Sequence, residues 1–250
     1  MKPVRLLWDL VNRLVAAVAL ILLSPMLLIV AVWIRVADGP GILFVQDRAG
    51  RGGKPFRMLK FRSMVHDSVA LSSRLGISDP FGLVENDPRI TRCGRFLRRT
   101  SLDELPQLFN VLAGHMLLVG PRPDVLPQVA HYSPLDARRL EVKPGITGWA
   151  QVNGRDDIDW PQRFILDRWY VDNWSPALDL RIVWRTFADL RRGEPPVHVD
   201  TLNIERAQSG EPAPAGVSPT AVRDGDTVPL GIPAQTRDGG ERLRDASRAA

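Results

Sequence analysis

The sequence has a single cysteine, Cys93, and this shortage excludes a framework of disulfide bonds within the chain. A lone thiol is typical of a protein kept in a reducing compartment. Aromatic residues are absent after Phe187, and residues 195–250 are rich in Pro, Gly, Ala, Ser, Asp and Arg. Such a composition cannot bury enough apolar surface to offset the loss of chain entropy on folding. We therefore predict that residues 195–250 form a disordered tail.

Several familiar site signatures are also missing. The glycine-rich stretch over residues 47–55 lacks the Gly-x-x-x-x-Gly-Lys-Ser/Thr pattern, which excludes a P-loop there. The four histidines are scattered, and none has a spacing that indicates a zinc site or a Cys–His nucleophile pair. Acidic residues are in deficit, so the net charge is +5. This balance favours anionic partners, namely nucleic acid, acidic lipid head groups or phosphorylated substrates.

Long apolar runs are confined to residues 14–34, where Ser24 is the one polar side chain. As a helix this run would rise about 31 Å, roughly the thickness of the bilayer hydrocarbon. Pro25 lacks an N–H and frees the carbonyl near Ile21, which the Ser24 hydroxyl is placed to satisfy. The run is either a kinked span or a re-entrant hairpin broken at Ser24 and Pro25. Basic residues flank both ends and prefer the cytoplasmic face, so the hairpin is favoured.

The rest of the pattern mixes helices with a few short strands. Ser101 and Glu104 have the spacing of a capping box. The last helix either packs on the core or lies at an anionic membrane surface. Predicted strands lie at residues 42–46, 56–59, 116–119 and 146–152. Predicted helices lie at 64–76, about 103–114, 125–141 (interrupted around Pro134), 160–171 and after Ser175-Pro176. We predict an α+β, mostly helical protein, in which a membrane helix (residues 1–36) precedes a compact domain with a small sheet (residues 37–194).

Charged residues form the chemical constellation. Asp103 and Glu104 are adjacent carboxylates near a helix start, where negative charge has a purely structural explanation. Arg122 stands between two prolines, and Arg155 follows a glycine-bearing turn. Each arginine alone would be an ordinary surface charge. Together these residues suit a phosphorylated substrate, because guanidinium groups bind phosphate oxygens and carboxylates hold Mg²⁺ or attack phosphorus.

At these residues the chain resembles a known family. The segments KFRSM (60–64), DPRITRCGRFLRRTSLDELPQLFNVLAGHMLLVGPRPD (87–124) and KPGITGWAQVNGR (143–155) closely resemble the bacterial sugar transferase family, whose members are monotopic polyprenyl-phosphate phosphoglycosyl transferases. The resemblance covers residues 5–192. It implies that a nucleotide diphosphate sugar, usually uridine-linked, donates a phosphosugar to polyprenyl phosphate. It also implies a place at the bacterial inner membrane, with the catalytic domain on the cytoplasmic face.

The resemblance assigns roles to individual residues. Asp103 matches the family nucleophile, which is expected to form an acyl-phosphate sugar intermediate, and Glu104 completes a catalytic dyad that binds Mg²⁺ or handles protons. Ser24-Pro25 matches the break in the family's re-entrant membrane helix. The residues that match the family's phosphate- and substrate-binding site are Lys60, Arg98, Arg122 and Arg155.

The expected partners are therefore the nucleotide sugar, polyprenyl phosphate and lipids of the inner membrane. A rival interpretation is a membrane-tethered nucleic-acid-binding protein, suggested by the basic run at residues 92–99. That run is interleaved with the Asp103 helix, and no groove-reading motif is present, so we expect no nucleic-acid partner. The sequence leaves open the identity of the sugar, the acceptor length and the oligomeric state.

Overall fold

The chain begins with one long helix, α1 (Lys2–Ala37), which is able by length and composition to cross a membrane. The computed structural model describes residues 2–68, 70–71, 87–154 and 158–192. The predicted tail at residues 195–250 and the predicted site residue Arg155 lie outside the described residues, as do residues 69 and 72–76 of the predicted helix at residues 64–76. In the described part of that helix, Met64 instead forms a β-bridge with Ile90, and helical backbone begins at Ser68.

Helical backbone continues through Ser24 and Pro25, so Pro25 lies inside α1 and does not end it. The Ser24 hydroxyl donates a hydrogen bond of 2.8 Å to the Ile21 carbonyl, as the sequence predicts. This bond replaces the one that a proline at position 25 cannot donate. The carbonyl is therefore satisfied locally, and helical backbone is kept on both sides of the proline.

Both halves of α1 pack on the same domain through one stripe of side chains. Ala16 and Leu20 lie in a core cluster with β-hairpin and helix residues, and Val30 and Ile34 lie in a second cluster further along the helix. Leu27 packs against both clusters, next to the proline. The remaining faces of α1 expose large apolar side chains along its length. The helix thus has one protein-facing stripe and a broad apolar surface.

A hairpin follows α1, as predicted. Strands β1 (Leu43–Ala49) and β2 (Pro55–Phe61) pair antiparallel, with Leu43 opposite Phe61 and Ala49 opposite Pro55. Both strands reach further into the turn than the sequence indicates. The connection is tight because Gly52 and Gly53 adopt positive φ angles of +67° and +73°, which other residues rarely tolerate. The hairpin carries Lys60 near the end of β2.

Two short helices and a parallel strand pair form the centre of the domain. Thr91 caps α2 (Arg92–Arg99), accepting a 2.8 Å bond from the Gly94 amide. A 3₁₀ turn (Leu102–Glu104) leads into α3 (Gln107–Leu112), which is followed by Gly114 at φ +83°, as expected for a helix stop. Strand β3 (Leu117–Val119) then pairs parallel with β4 (Gly145–Thr147), which is shorter than the predicted strand at residues 146–152.

The predicted helices at residues 160–171 and after Ser175-Pro176 are confirmed, whereas the predicted helix at residues 125–141 is only a four-residue helix and a separate 3₁₀ turn. Among the described residues the architecture is mostly helical with two small sheets, as expected for an α+β protein. Ser175 accepts a 3.2 Å bond from the Leu178 amide at the start of the last helix. That helix buries Ile182 against the core but exposes Leu180, Trp184 and Phe187. The elements are α4 (Leu126–Val129), a 3₁₀ turn (Asp136–Glu141), a second 3₁₀ turn (Gln151–Asn153), α5 (Trp160–Asn173) and α6 (Pro176–Arg192).

Candidate active site

The turn that carries Asp103 and Glu104 is held by an unusual backbone and by apolar anchors. Ser101 has φ 56° and ψ 17°, the one positive φ among the described residues other than glycine. Its side chain makes no capping bond, so the predicted capping box is wrong. Leu102 and Leu105 flank the two carboxylates and pack against the two core clusters. The carboxylates therefore lie in a short 3₁₀ turn ahead of α3, not in the first turn of α3 itself.

The Asp103 carboxylate is buried, with 7% of the residue exposed. No hydrogen bond from the described residues is made to it, which leaves its lone pairs available. Burial raises the pKa of Asp103 above its ordinary value, although the nearby Lys60 ammonium opposes this rise. Asp103 is thus a poorly solvated carboxylate without a fixed partner among the described residues.

Glu104 has the opposite environment. Its Oε1 accepts a hydrogen bond of 2.8 Å from Lys60 Nζ and one of 3.0 Å from Arg122 Nη1. Burial acts to raise the pKa of Glu104, but the two cations outweigh it and lower the pKa to about 2. Glu104 is therefore an anion at any working pH. The two adjacent carboxylates thus have different electrostatic surroundings.

The structure brings most of the predicted site residues together. Lys60 and Arg122 both contact Glu104, and Asp103 lies close enough for both cations to lower the pKa of its carboxyl group. Arg98 does not join this contact group, but its Nε donates a 3.0 Å bond to the Ser63 hydroxyl. Arg98 is still close enough to Asp103 to lower the pKa of that carboxyl. The contacts of Arg155 lie outside the described residues.

Two arginines near the site, Arg48 and Arg139, are not among the site residues predicted from the sequence. Arg48 Nη1 donates to the Pro123 carbonyl at 3.1 Å, and Arg139 Nη2 donates to the Arg122 carbonyl at 2.9 Å. A signal for Arg48 existed, because Gln46 and Arg48 share one face of a strand. The predicted strand ended at Gln46 and so concealed this pairing. Nothing local in the sequence marks Arg139.

Two protein carboxylates, those of Asp103 and Glu104, are available here as ligands for a metal ion. Within the described segments no group of three or more His, Cys, Asp or Glu side chains is arranged to hold a metal. Mg²⁺ commonly takes one or two carboxylates and completes its shell with water and substrate phosphates. Lys60 and Arg122 both contact Glu104 Oε1, so the second oxygen, Oε2, is available to bind a metal ion. The donor set of Asp103 and Glu104 therefore fits Mg²⁺ bound together with a diphosphate.

Comparison with known proteins agrees with this geometry. The family model for bacterial sugar transferases matches residues 4–193. The uncharacterized sugar transferase EpsL of Bacillus subtilis is 47% identical over 153 residues, covering 61% of this chain and 71% of EpsL. The undecaprenyl-phosphate galactose phosphotransferase of Salmonella typhimurium is 46% identical over 176 residues, covering 67% of this chain and 37% of that protein.

A third relative has a name that specifies glucose as the transferred sugar. The UDP-glucose:undecaprenyl-phosphate glucose-1-phosphate transferase of Xanthomonas campestris is 44% identical over 181 residues, covering 69% of this chain and 36% of that protein. The match thus spans little more than a third of the Salmonella and Xanthomonas proteins. Because the family model covers most of the sequence, including the turn with Asp103 and Glu104, this chain belongs to the bacterial sugar transferase family.

Proposed function

We propose that this sugar transferase moves a phosphosugar from a uridine diphosphate sugar to undecaprenyl phosphate, through a covalent intermediate on Asp103. The observation that carries the proposal is the contrast within the dyad: Asp103 is buried without a hydrogen bond from the described residues, whereas Glu104 is held by Lys60 and Arg122. The names of the Salmonella and Xanthomonas relatives support the lipid acceptor, and the latter name supports a uridine-linked donor.

The reaction divides into two displacements at one phosphorus atom. An Asp103 carboxylate oxygen attacks the sugar-bearing phosphate, and the bond to the bridging oxygen breaks, so uridine monophosphate leaves with the electron pair. An oxygen of undecaprenyl phosphate then attacks the same phosphorus and releases the Asp103 carboxylate. The soluble donor and the lipid acceptor therefore need not bind at the same time.

The charges around the dyad suit the first displacement. A diphosphate donor repels a carboxylate nucleophile, and Lys60 and Arg122 lie where they offset this repulsion. Burial lowers the pKa of Lys60, but the adjacent Glu104 carboxylate opposes this fall and favours the ammonium form. Glu104 also fixes the positions of both cations relative to Asp103. When bound, Mg²⁺ supplies further charge neutralisation at the leaving phosphate, and Asp103 and Glu104 are the residues to hold it.

The fold supports a monotopic placement, with both ends of α1 on the cytoplasmic face of the inner membrane. Near one end, Trp8 Nε1 donates a 2.7 Å bond to Asp179 Oδ2 in the catalytic domain. At the other end, Arg62 Nη2 donates a 2.7 Å bond to the Asp38 carbonyl, just after α1. A domain in contact with both ends of a helix cannot stand on one side of a bilayer while the helix crosses it. The apolar faces of α1 and α6 would then meet lipid.

Donor turnover by detergent-purified protein tests the reaction. A panel of uridine diphosphate sugars is incubated with Mg²⁺, with and without undecaprenyl phosphate, and uridine monophosphate is measured. We expect about one equivalent of uridine monophosphate without acceptor, a phosphosugar adduct on Asp103 by mass spectrometry, and continuous turnover with acceptor.

Two variants make the test specific. Asp103→Asn should abolish both the adduct and the turnover, whereas the exposed Asp172→Asn should leave them unchanged. Full transfer by Asp103→Asn would reject the proposed nucleophile. No uridine monophosphate from any donor would reject the proposed reaction.

A further inference from the structure

The loop of residues 121–124, which we name the arginine loop, is held by its backbone carbonyls. Pro121 and Pro123 have no N–H groups, so other elements can hold these residues only through their carbonyls. Each of four consecutive carbonyls accepts a hydrogen bond. The donors to residues 121, 122, 123 and 124 are the Gly145 amide (3.0 Å), Arg139 Nη2 (2.9 Å), Arg48 Nη1 (3.1 Å) and the Ala49 amide (2.9 Å).

Arg139 is a buried support of the loop, with 3% of the residue exposed. Its guanidinium pairs with Asp124 and lies 2.6 Å from Asp167 Oδ2. It also donates to the Tyr132 hydroxyl at 2.7 Å. Two buried carboxylates thus balance one buried cation, and the guanidinium is fixed on several sides while it donates to the Arg122 carbonyl.

Arg48 holds the other side of the loop. Its Nε and Nη2 both donate to Gln46 Oε1, at 3.0 and 2.7 Å, which orients the remaining nitrogen toward the Pro123 carbonyl. Burial and the neighbouring Arg122 lower the pKa of Arg48 to about 10, which leaves it a cation at neutral pH. The hydrogen bonds of Arg48 go to its own strand and to the loop, not to the dyad.

From these contacts we infer that Arg48 and Arg139 are positioning residues, which fix the arginine loop so that the Arg122 guanidinium meets Glu104 and the donor phosphates. The inference rests on the proposed function, because only a role for Arg122 in binding the donor phosphates makes its exact position matter for the reaction rate. The Arg122 side chain is 36% exposed and long, so the position of its backbone determines whether the guanidinium can reach Glu104. Small errors in the position of a phosphate-binding group are costly in rate.

A double-mutant cycle distinguishes positioning through Arg122 from a general structural role. Arg48→Met keeps most of the side-chain length but removes the charge and the donors. It is made alone and together with Arg122→Ala, and kcat/KM for the donor is measured by release of uridine monophosphate. We expect Arg48→Met to lower kcat/KM about tenfold when Arg122 is present, and less than about twofold when it is absent. Equal factors in the two backgrounds would overturn the inference.

Further variants exclude simpler explanations. Arg48→Lys should recover part of the lost activity, because an ammonium can still donate to a carbonyl. Arg139→Lys forms a second double-mutant cycle with Arg122→Ala. If Arg139→Lys does not fold, the Arg48 cycle alone tests whether these residues act through Arg122. Arg138→Met is the matched control, since Arg138 is exposed and pairs with Asp172 rather than with the loop. A wild-type enzyme without donor turnover would reject the proposed function, whereas an active enzyme with additive cycles would reject this inference alone.

Discussion

At the scale of residues, two adjacent carboxylates differ because of what surrounds them. Glu104 is stabilised as an anion by Lys60 and Arg122, while Asp103 is desolvated and lacks a hydrogen bond from the described residues. The asymmetry comes from two partners, Lys60 on β2 and Arg122 on the arginine loop, that converge on one turn. It fits a division between a nucleophile and a charged partner, and both Lys60 and Arg122 act to lower the pKa values of the two carboxyl groups.

Lys60→Met tests the importance of that cation. The change leaves Glu104 with Arg122 as its cation and removes a charge that offsets the donor diphosphate. We expect kcat/KM for uridine monophosphate release to fall at least about tenfold, within the range seen when one charge-stabilising group is removed. Lys54→Met is the control, because Lys54 lies exposed in the turn of the same hairpin. Comparable losses in both variants would argue against a specific role for Lys60.

A second residue-scale prediction concerns Asp179, a buried carboxyl that accepts bonds from Trp8, Trp174 and Tyr170. Burial raises its pKa from an ordinary 3.8 to about 6, and the three donors only partly oppose this rise. Arg5, which lies over the Trp174 ring, is the nearby cation in that cluster. The folded state therefore holds the proton more tightly than the unfolded state.

The sign of the pH effect follows from that shift. Because the folded pKa is raised, the free energy of unfolding should decrease as pH rises from about 4 to about 6, by at most on the order of 3 kcal/mol from this group. Asp179→Asn removes the titration. The difference in thermal midpoint between the two proteins should therefore change across this window and stay constant above it. A constant difference from about pH 4 to about pH 8 would contradict the raised pKa.

At the scale of elements, α1 shows how a helix accommodates a proline without ending. The Ser24 hydroxyl satisfies the Ile21 carbonyl that Pro25 leaves free. In an apolar environment that carbonyl would otherwise have no partner. This local exchange explains why helical backbone continues on both sides of Pro25.

A cycle at these two positions tests the exchange. Ser24→Ala should lower the free energy of unfolding by about 0.6–1 kcal/mol, measured from thermal midpoints in detergent. In a Pro25→Ala background the same change should have almost no effect, because the backbone amide restored by that substitution can bond the Ile21 carbonyl itself. An equal loss in the free energy of unfolding in both backgrounds would contradict this explanation and would show that the Ser24 hydroxyl has a different role.

At the scale of the whole molecule, contacts along α1 determine how the protein meets the membrane. Labelling of single cysteines tests the monotopic arrangement. Lys2→Cys and Arg35→Cys are made in a Cys93→Ala background, which removes the one native thiol. We expect an impermeant maleimide to label neither position in intact cells and both in inverted membrane vesicles. Labelling of one end alone in intact cells would show that α1 crosses the membrane once.

The C-terminal segment offers a second prediction at this scale. The family match ends at residue 193, and the candidate active site lies before residue 155 among the described residues. Removal of residues 195–250 should therefore leave kcat/KM for the donor within about twofold of the full chain. A larger loss would show that the segment contributes to the reaction, and the thermal midpoint would separate this from loss of stability.

Much of this protein is determined by short stretches of sequence. The hairpin, the helix stop at Gly114, the serine cap of α6 and the Ser24–Ile21 bond all depend on residues a few positions apart, where backbone preferences act directly. The motif around Asp103 and Glu104 likewise identified the family, and the structure then brought Lys60 and Arg122 to Glu104.

Other features were decided only by the tertiary structure. The apolar run of α1 has no periodicity to show which face packs, so the buried stripe depends on the shape of the domain. Arg48 meets the Pro123 carbonyl across 75 positions of sequence, and no local signal links them. Ser101 adopts left-handed backbone and makes no capping bond, and Glu104 instead pairs with two cations that are distant in sequence. Such pairings arise from packing over the whole chain, which local preferences do not contain.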